Sequence, residues 1–269
     1  MELFRVGNEN VIFTVCEYQK LDYDNHRKHI HPFCELLYVK DGVLDYVIED
    51  GEYRLKAGDV LIIDSAKYHY LKSIVAPPYK RICFQFMGSF LEDQSLLTKV
   101  FNKNPHYSLP KESPIPTLLN IIEAESENDD KTLKSAKYKS VLTLILLSLL
   151  NLDNEELVAK QTLSKTCDKI LSYVNEHLTT INGIEQIAEK FFFSKSYISH
   201  VFKEEMKVGI MHYIRDKKIL LADSMLKAGK RPIDVAKECG YENYISFYRL
   251  YTAHFKRSPS SVKPSKQKQ

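Results

Sequence analysis

The sequence predicts an α+β chain with more than one domain, in which a strand-rich N-terminal half precedes an all-helical C-terminal half. Short runs rich in Val, Ile, Tyr and Phe alternate with turn residues over positions 11–86, which is typical of an antiparallel β domain. From Thr166 onward the apolar residues instead recur at helical spacing. The length of 269 residues exceeds that of the usual single domain and supports this division.

Six segments of the N-terminal half are predicted to be β-strands: VIFTV, FCELLYV, LDYVIE, YRL, VLIID and RICFQF. The steps Asp41-Gly42 and Asp50-Gly51 predict hairpin turns, because Asp-Gly suits a tight two-residue loop. A third turn is predicted around Gly58. Six or more strands at this spacing indicate a sandwich or a small barrel, which we place at residues 1–87.

Residues 88–160 are predicted to form a helical dimerisation segment and a linker. Positions 88–113 are polar and interrupted by prolines, so a loop is expected there. Helices are predicted at about 115–125 and 133–152. The second is apolar nearly all round, so it must bury more than one face. We expect it to pack against the β domain and a second subunit, which predicts a homodimer.

The charge of the chain is divided unevenly between its two halves. Residues 161–269 contain 19 Lys and Arg against 11 Asp and Glu, whereas residues 1–160 contain 19 against 24. A basic half joined to an acidic half indicates that only the C-terminal half approaches a polyanion such as nucleic acid. A basic solvated surface is the alternative interpretation.

Composition and absent motifs exclude several classes of protein. The five cysteines form no C-x-x-C pair, which argues against a disulfide framework or a thiolate zinc site and fits a reducing cytosol. The N-terminus has no signal-peptide pattern, and the longest apolar run, 141–152, is far shorter than the roughly 20 residues that span a bilayer. We therefore expect a cytoplasmic protein. Without a P-loop, dinucleotide fingerprint or nucleophile elbow, no enzyme is expected.

The C-terminal half contains an internal repeat, and each copy has the parts of a helix-turn-helix. Ser194 and Asn243 are predicted to cap the second helix of each copy. Pro232 suits a first helical position, and Gly240 suits a left-handed helix end. The side chains left facing outward, which are those expected to contact DNA, are Lys195, Ser196, Ser199, His200 and Lys203 in copy one and Tyr244, Tyr248 and Arg249 in copy two.

Residues 167–263 resemble the DNA-binding domain of the AraC/XylS family. The stretch DVAKECGYENYISFYRLYTAHFKRSPSSVK, at 234–263, matches that family's signature at Gly240, Phe247, Arg249, Phe255 and Pro259. The resemblance implies a transcription regulator that binds double-stranded DNA, and RNA polymerase as well if it is an activator. Two alternatives remain: the repeat could serve packing alone in a helical bundle, and the outward tyrosines could form an interface.

Three positions depart from the family pattern. Phe192 in copy one occupies the position of Gly240, so a left-handed backbone there would be strained. Lys207 and Lys256 stand where the family usually has Gly after each recognition helix. These departures predict altered turns, and we expect copy two, with Arg249, to supply most of the direct base readout.

His29-Ile30-His31, followed by Glu35 and Gly42, resembles the first motif of cupin barrels. Residues 58–69 resemble the second motif, with Asp64 and Ala66 in place of the usual Pro and Gly. One interpretation is therefore a divalent metal site for Mn, Fe, Ni or Zn, either in a sensor or in a cupin metalloenzyme. Its ligands would be His29, His31, Glu35 and His69.

Two other interpretations of the histidines remain open. They could be structural, or they could form one wall of a pocket for a small polar effector. The resemblance to AraC-family sensor domains implies the pocket and suggests a sugar-like ligand. Strand parity adds further residues to the four named above, and the predicted wall also includes Phe33, Tyr38, Tyr46 and Gln85.

Overall fold

The computed structural model describes residues 2–8, 10–20, 28–49, 51–124, 130–153, 160–161 and 163–264. The chain divides into two compact units, one of residues 1–29 and 33–160 and one of residues 161–269 with 30–32. The elements of the first unit are β1 (Glu2–Gly7), β2 (Val11–Tyr18), β3 (Cys34–Ile48), β4 (Gly51–Lys56), β5 (Asp59–Ile63), β6 (His69–Phe86), a 3-10 turn (Gly88–Phe90), α1 (Gln94–Phe101), β7 (His106–Ser108), α2 (Ile115–Glu123) and α3 (Lys131–Leu150).

The first unit is built on one antiparallel sheet. Its strand order is β1-β2-β6-β3-β4-β8, where β8 is Lys160–Gln161, and β5 joins β3 to β7 beside this path. The two longest strands, β3 and β6, pair along nearly their whole lengths. The predicted strand-rich antiparallel domain is confirmed. Among the described residues, however, the ladder does not return to its first strand, so the sheet is not closed into a barrel.

The predicted hairpin at Asp41-Gly42 is wrong. Strand β3 runs straight through this step, and its register against β6 shifts on either side of Asp41. Gly42 has φ +91°, and a Cβ built on it would lie 2.6 Å from the carbonyl oxygen of Pro78. Glycine therefore permits a bulge and a close approach of two strands at this point. The second predicted hairpin is confirmed, since Ile48 of β3 pairs with Gly51 of β4; Asp50 lies outside the described residues.

The helices of the first unit were predicted in part. Helices α2 and α3 are confirmed, but α1 occupies part of the predicted loop over 88–113. The Asp93 carboxylate caps α1 by accepting from Ser95 N at 2.9 Å. One side of α3 packs into the core of the unit, whereas Leu133, Leu144 and Leu147 are exposed. The second apolar face expected of this helix is therefore at the surface of the chain.

The second unit is all-helical. Its elements are α4 (Lys165–Glu176), α5 (Ile184–Phe191), α6 (Lys195–Met206), α7 (Ile210–Lys227), α8 (Pro232–Glu238), α9 (Tyr244–Phe255) and a 3-10 turn (Pro259–Ser261). The pairs α5–α6 and α8–α9 are the two predicted helix-turn-helix units, and α7 joins them. No helix in the described part of the chain has both the length and the apolar character needed to cross a bilayer.

Candidate functional site

The outward face of α6 carries the polar side chains predicted from copy one. Its N-terminus is fixed by Ser194, whose hydroxyl accepts from Tyr197 N at 3.2 Å. Ile198 and Phe202 are fully buried on the inner face. The predicted DNA-contacting residues on the opposite side are all exposed: Lys195, Ser196, Ser199, His200 and Lys203. The Lys195 ammonium lies 3.0 Å from a carboxylate oxygen of Glu185, so any phosphate must compete with this exposed ion pair.

Helix α9 presents a larger and more aromatic face. Asn243 caps it by accepting from Ser246 N at 2.8 Å, as predicted. Tyr248 and Arg249 are exposed, but Tyr244 is half-buried, with its ring 5.8 Å from that of Phe247. Tyr244 therefore contributes to packing as well as to the surface. The outer face combines a guanidinium donor with aromatic edges, which are groups that can contact base edges in a major groove.

The helix ends that lack glycine still adopt left-handed geometry. Phe192 has φ 57° and is 94% exposed, and it follows α5 as Gly240 follows α8. Lys207 and Lys256, after α6 and α9, both have φ 55°. The turns are therefore retained rather than altered. Each of these three residues adopts a backbone conformation that costs a residue with a Cβ about 1–2 kcal/mol.

Helix α7 carries polar contacts that the sequence did not reveal. Asp223 is fully buried, and its carboxylate accepts from Arg257 at 2.7 Å and forms an ion pair with Lys227 at 2.7 Å. It also accepts from the hydroxyl of Tyr251 on α9. Burial raises the pKa of Asp223, but hydrogen bonds from Lys227 and Tyr251 lower it by more than burial raises it. The pKa of Asp223 therefore lies below its ordinary value. An aspartate on the apolar side of α7 was the available sequence signal.

The other end of α7 bonds to the first copy. The hydroxyl of Tyr213 donates to the side-chain carbonyl of Asn175 on α4 at 3.0 Å. The buried ammonium of Lys218 donates to the carbonyl of Ile181 at 2.8 Å. Both contacts lie in or beside the first helix-turn-helix, whereas those of Asp223 lie beside the second. Helix α7 is therefore hydrogen-bonded to both copies.

The first unit contains a cavity of about 470 Å³ on one face of its sheet. Its wall includes four of the eight predicted effector-binding residues, namely His29, Glu35, Tyr46 and Gln85. The residues of the wall that were not predicted are Glu2, Arg5, Thr14, Cys16, Tyr18, Leu71, Arg81 and Cys83. Counting back from Gln85 at strand spacing would have found Cys83 and Arg81.

Tyr38 and Phe33 do not line this cavity. Tyr38 differs in parity from Glu35, so its side chain lies on the opposite face of the sheet and packs with the core beneath the helices. Tyr46 does return to the cavity face, because the register shifts in β3 reset the alternation. The parity prediction for Tyr38 was therefore wrong. Phe33 is half-buried just before β3 begins.

His69 lies behind the wall beside Glu35. It is 1% exposed, and its Nε2 lies 3.7 Å from a carboxylate oxygen of Glu35. Its Nδ1 lies 2.8 Å from the carbonyl oxygen of Lys67, which can only accept, so Nδ1 carries a proton and donates to it. The same carboxylate oxygen of Glu35 accepts from the side-chain amide of Gln85 at 3.0 Å.

His29 and His69 are held together by the backbone. Each amide donates to the other residue's carbonyl, at 3.1 and 3.0 Å, and the two rings are 4.3 Å apart. Ring nitrogens of His29, His31 and His69 lie within 4.8 Å of one another, and His31 is half-buried. Three imidazoles with a neighbouring carboxylate are a donor set suited to a first-row divalent metal.

Comparison with known proteins places both units. A family model described as an AraC-like ligand binding domain matches residues 14–136, and one described as a helix-turn-helix domain matches residues 187–264. The uncharacterized HTH-type transcriptional regulator YdiP of Escherichia coli K12 is 28% identical over 256 residues, which cover 87% of this chain and 80% of YdiP. The regulatory protein SoxS of the same strain is 30% identical over 100 residues, covering 37% of this chain and 94% of SoxS. The crystal structure of an apo ToxT variant from Vibrio cholerae aligns over 94% of this chain and 96% of its own, with 14% identity and a TM-score of 0.41.

Proposed function

The chain belongs to the AraC family of DNA-binding transcription regulators and carries that family's N-terminal ligand-binding domain, and we propose that α6 and α9 read its operator while the cavity of the first unit binds a small polar effector. The observation that carries the DNA-reading proposal is the pair of capped helices, each with a buried apolar face and an exposed polar one. The two helices would enter successive major-groove segments about 10 bp apart.

The proposed readers differ in role. Arg249, Tyr244 and Tyr248 would contact bases from α9, with Arg249 donating two hydrogen bonds to one guanine. Ser196, Ser199 and His200 would make weaker polar contacts from α6. Lys195 and Lys203 would contact phosphates, which position the protein without reading sequence.

Arg249→Ala tests the assignment of base readout. The operator is first selected from random duplexes, and affinities are then measured by fluorescence anisotropy at several salt concentrations. The variant should lose about 1–3 kcal/mol on the operator and relax preference at one base position. Lys203→Ala should instead weaken all sequences alike and lower the salt slope by about one. Lys111→Ala, exposed in the first unit, is the control expected to change nothing. A uniform loss for Arg249→Ala would make Arg249 a phosphate contact.

The effector is proposed to be a small polar molecule of sugar size. His29, Glu35, Tyr46 and Gln85 support this, because they place hydrogen-bonding groups around one cavity. Glu35→Gln should weaken the effect of an effector on transcription while DNA binding is retained. Loss of DNA binding in this variant would contradict a role confined to the effector.

A metal-dependent sensor, or a cupin-like metalloenzyme, is the second candidate function, and the cluster of His29, His31 and His69 favours it. A divalent metal would be held by these imidazoles and Glu35, and when bound it would polarise an oxygen of the ligand. Elemental analysis of protein purified without chelator tests this. About one metal per chain in the wild type and in His177→Ala, with loss in His69→Ala, is the expected result. Equal metal content in all three proteins would exclude the site.

The exposed leucines of α3 support a homodimer. Leu144 and Leu147 lie on one apolar strip of the helix, which a second copy would cover. Leu144→Glu should shift the sedimentation coefficient from that of a dimer to that of a monomer, and an unchanged value would place the dimer interface elsewhere.

If the regulator is an activator, RNA polymerase is its further partner, and transcription in a purified system would reveal that contact.

A further inference from the structure

Arg81 faces the same cavity as Glu35, and Glu35 is among the charges that act on its guanidinium. This arginine belongs to β6, where Arg81, Cys83 and Gln85 follow at two-residue spacing and face the cavity together. Four residues of strand place the backbone of Arg81 about 13 Å from that of Gln85 along the sheet. Glu35 is the cross-strand partner of Gln85, so the backbone of Glu35 is also several strand residues away from that of Arg81 along the sheet.

Both carboxylates of the cavity wall already have partners. Glu35 accepts from Gln85 at 3.0 Å, and Glu2 lies 3.3 Å from Arg5. In the described part of the chain, no carboxylate lies within 4.0 Å of the Arg81 guanidinium, and its buried Nε has no hydrogen-bond acceptor. A guanidinium remains protonated in proteins, so Arg81 brings a positive charge to the cavity without a carboxylate beside it.

The immediate neighbours of Arg81 do not neutralise it. The guanidinium carbon lies 5.7 Å from the ring centre of Tyr18 and 6.0 Å from that of Tyr79. Burial raises the pKa of both tyrosines, so their hydroxyls stay protonated at neutral pH. Burial also raises the pKa of Cys83, the next residue on this face. These rings and the thiol form a neutral surround in which an anion would be strongly attracted to the guanidinium.

We propose that the effector is a hydroxylated carboxylic acid, with its carboxylate bound by Arg81 and its hydroxyls bound by Glu35 and Gln85. The proposal rests on the cavity being the effector site. A carboxylate matches the planar fork of a guanidinium and its single charge. A phosphate dianion would need further cations, and Glu35 would repel it. A neutral sugar would place no negative charge against the Arg81 guanidinium. The volume of about 470 Å³ suits a sugar acid.

The test compares matched acids and neutral analogues on the full chain. The pairs are acetate with acetamide, D-gluconate with D-glucitol, and D-galacturonate with D-galactose. The melting temperature is measured at about 100 mM of each compound. The variants are Arg81→Gln, Arg81→Lys and the control Lys80→Gln, which removes the same charge from the opposite face of β6. Circular dichroism and DNA binding establish that each variant is folded.

The acids should raise the melting temperature of the wild type and of Lys80→Gln by about 2–4 °C more than their neutral partners do. Arg81→Gln should lose this difference, and Arg81→Lys should keep part of it because the charge remains without the fork. Acetate is small enough to reach a guanidinium in this cavity even if the larger acids do not fit. The inference is therefore overturned if none of the acids gives a rise in melting temperature that depends on Arg81. If neutral sugars raise the melting temperature equally in the wild type and in Arg81→Gln, the proposal of an anionic effector is refuted, whereas the proposal that the cavity binds an effector is supported. A wild type that no compound stabilises counts against both.

Discussion

Substitution of Gly240 by alanine should be among the most damaging small changes in the second unit. Gly240 ends α8 with φ +74°, and a Cβ built there would lie 2.0 Å from the carbonyl oxygen of Thr179. It would also lie 3.0 Å from the ammonium of Lys218, whose flexible side chain can move. The carbonyl belongs to the backbone, so either the turn or the chain at Thr179 must shift by about 1 Å or more to restore an ordinary contact.

The magnitude follows from three contributions. The left-handed backbone costs a residue with a Cβ about 1–2 kcal/mol. Forcing a backbone shift in a packed region costs about 1–3 kcal/mol more. Replacing glycine also reduces the freedom of the unfolded chain, which returns about 0.4–1 kcal/mol. Gly240→Ala should therefore lower the free energy of unfolding by about 2–4 kcal/mol.

Gly229→Ala is the matched control. Gly229 has φ +89° at the end of α7, but its nearest neighbour would be Cβ of Pro264 at 3.7 Å, an ordinary contact. It should lose only the backbone contribution, about 0.5–1.5 kcal/mol. The assay is urea unfolding of the full chain, with midpoints compared at constant slope. Equal losses in the two variants would show that the Thr179 carbonyl does not restrict this turn.

Two further predictions concern the same unit. Phe192→Gly should raise the free energy of unfolding by about 0.5–1 kcal/mol, because it relieves an exposed left-handed residue, and a lower urea midpoint would contradict the strain. Asp223→Asn should cost about 3 kcal/mol at neutral pH, since Arg257 and Lys227 would lose a buried carboxylate. Because the folded pKa of Asp223 lies below its unfolded value of about 4, its contribution is present above that value and is lost as pH falls through the folded pKa. In Asp223→Asn, the urea midpoint should therefore fall less between about pH 6 and about pH 2 than it does in the wild type, because the variant has no carboxylate to protonate at this position. An equal fall in the two proteins would contradict the assignment.

The sequence predicted those features that depend on neighbours along the chain. Ser194 and Asn243 cap their helices through amides three residues ahead, so local chemistry was sufficient. The altered turn expected at Phe192 was wrong, because the backbone there keeps the left-handed geometry of Gly240 despite the strain on a residue with a Cβ. Helix α1, of eight residues, was missed because one short amphipathic stretch gives little periodic signal.

Features that depend on distant strands were beyond local reasoning. Asp41-Gly42 has the composition of a turn, but the approach of Pro78 from another strand makes Gly42 part of a bulge. That bulge also resets the alternation of β3 after Tyr38, which is why Tyr46 faces the cavity. Arg81 was overlooked because the two-residue spacing of β6 was not followed back from Gln85, although that spacing places Arg81 on the same face.

The hydrogen bonds at both ends of α7 have a consequence for the spacing of the operator. Tyr213 and Lys218 hold this helix to the first copy, and Asp223 holds it to the second. The distance and rotation between the recognition helices are then set by one helix rather than by a linker. Inserting one base pair between the two contacted segments would rotate one of them by about 35° out of phase. An operator for this protein should therefore tolerate base changes more readily than a change of length.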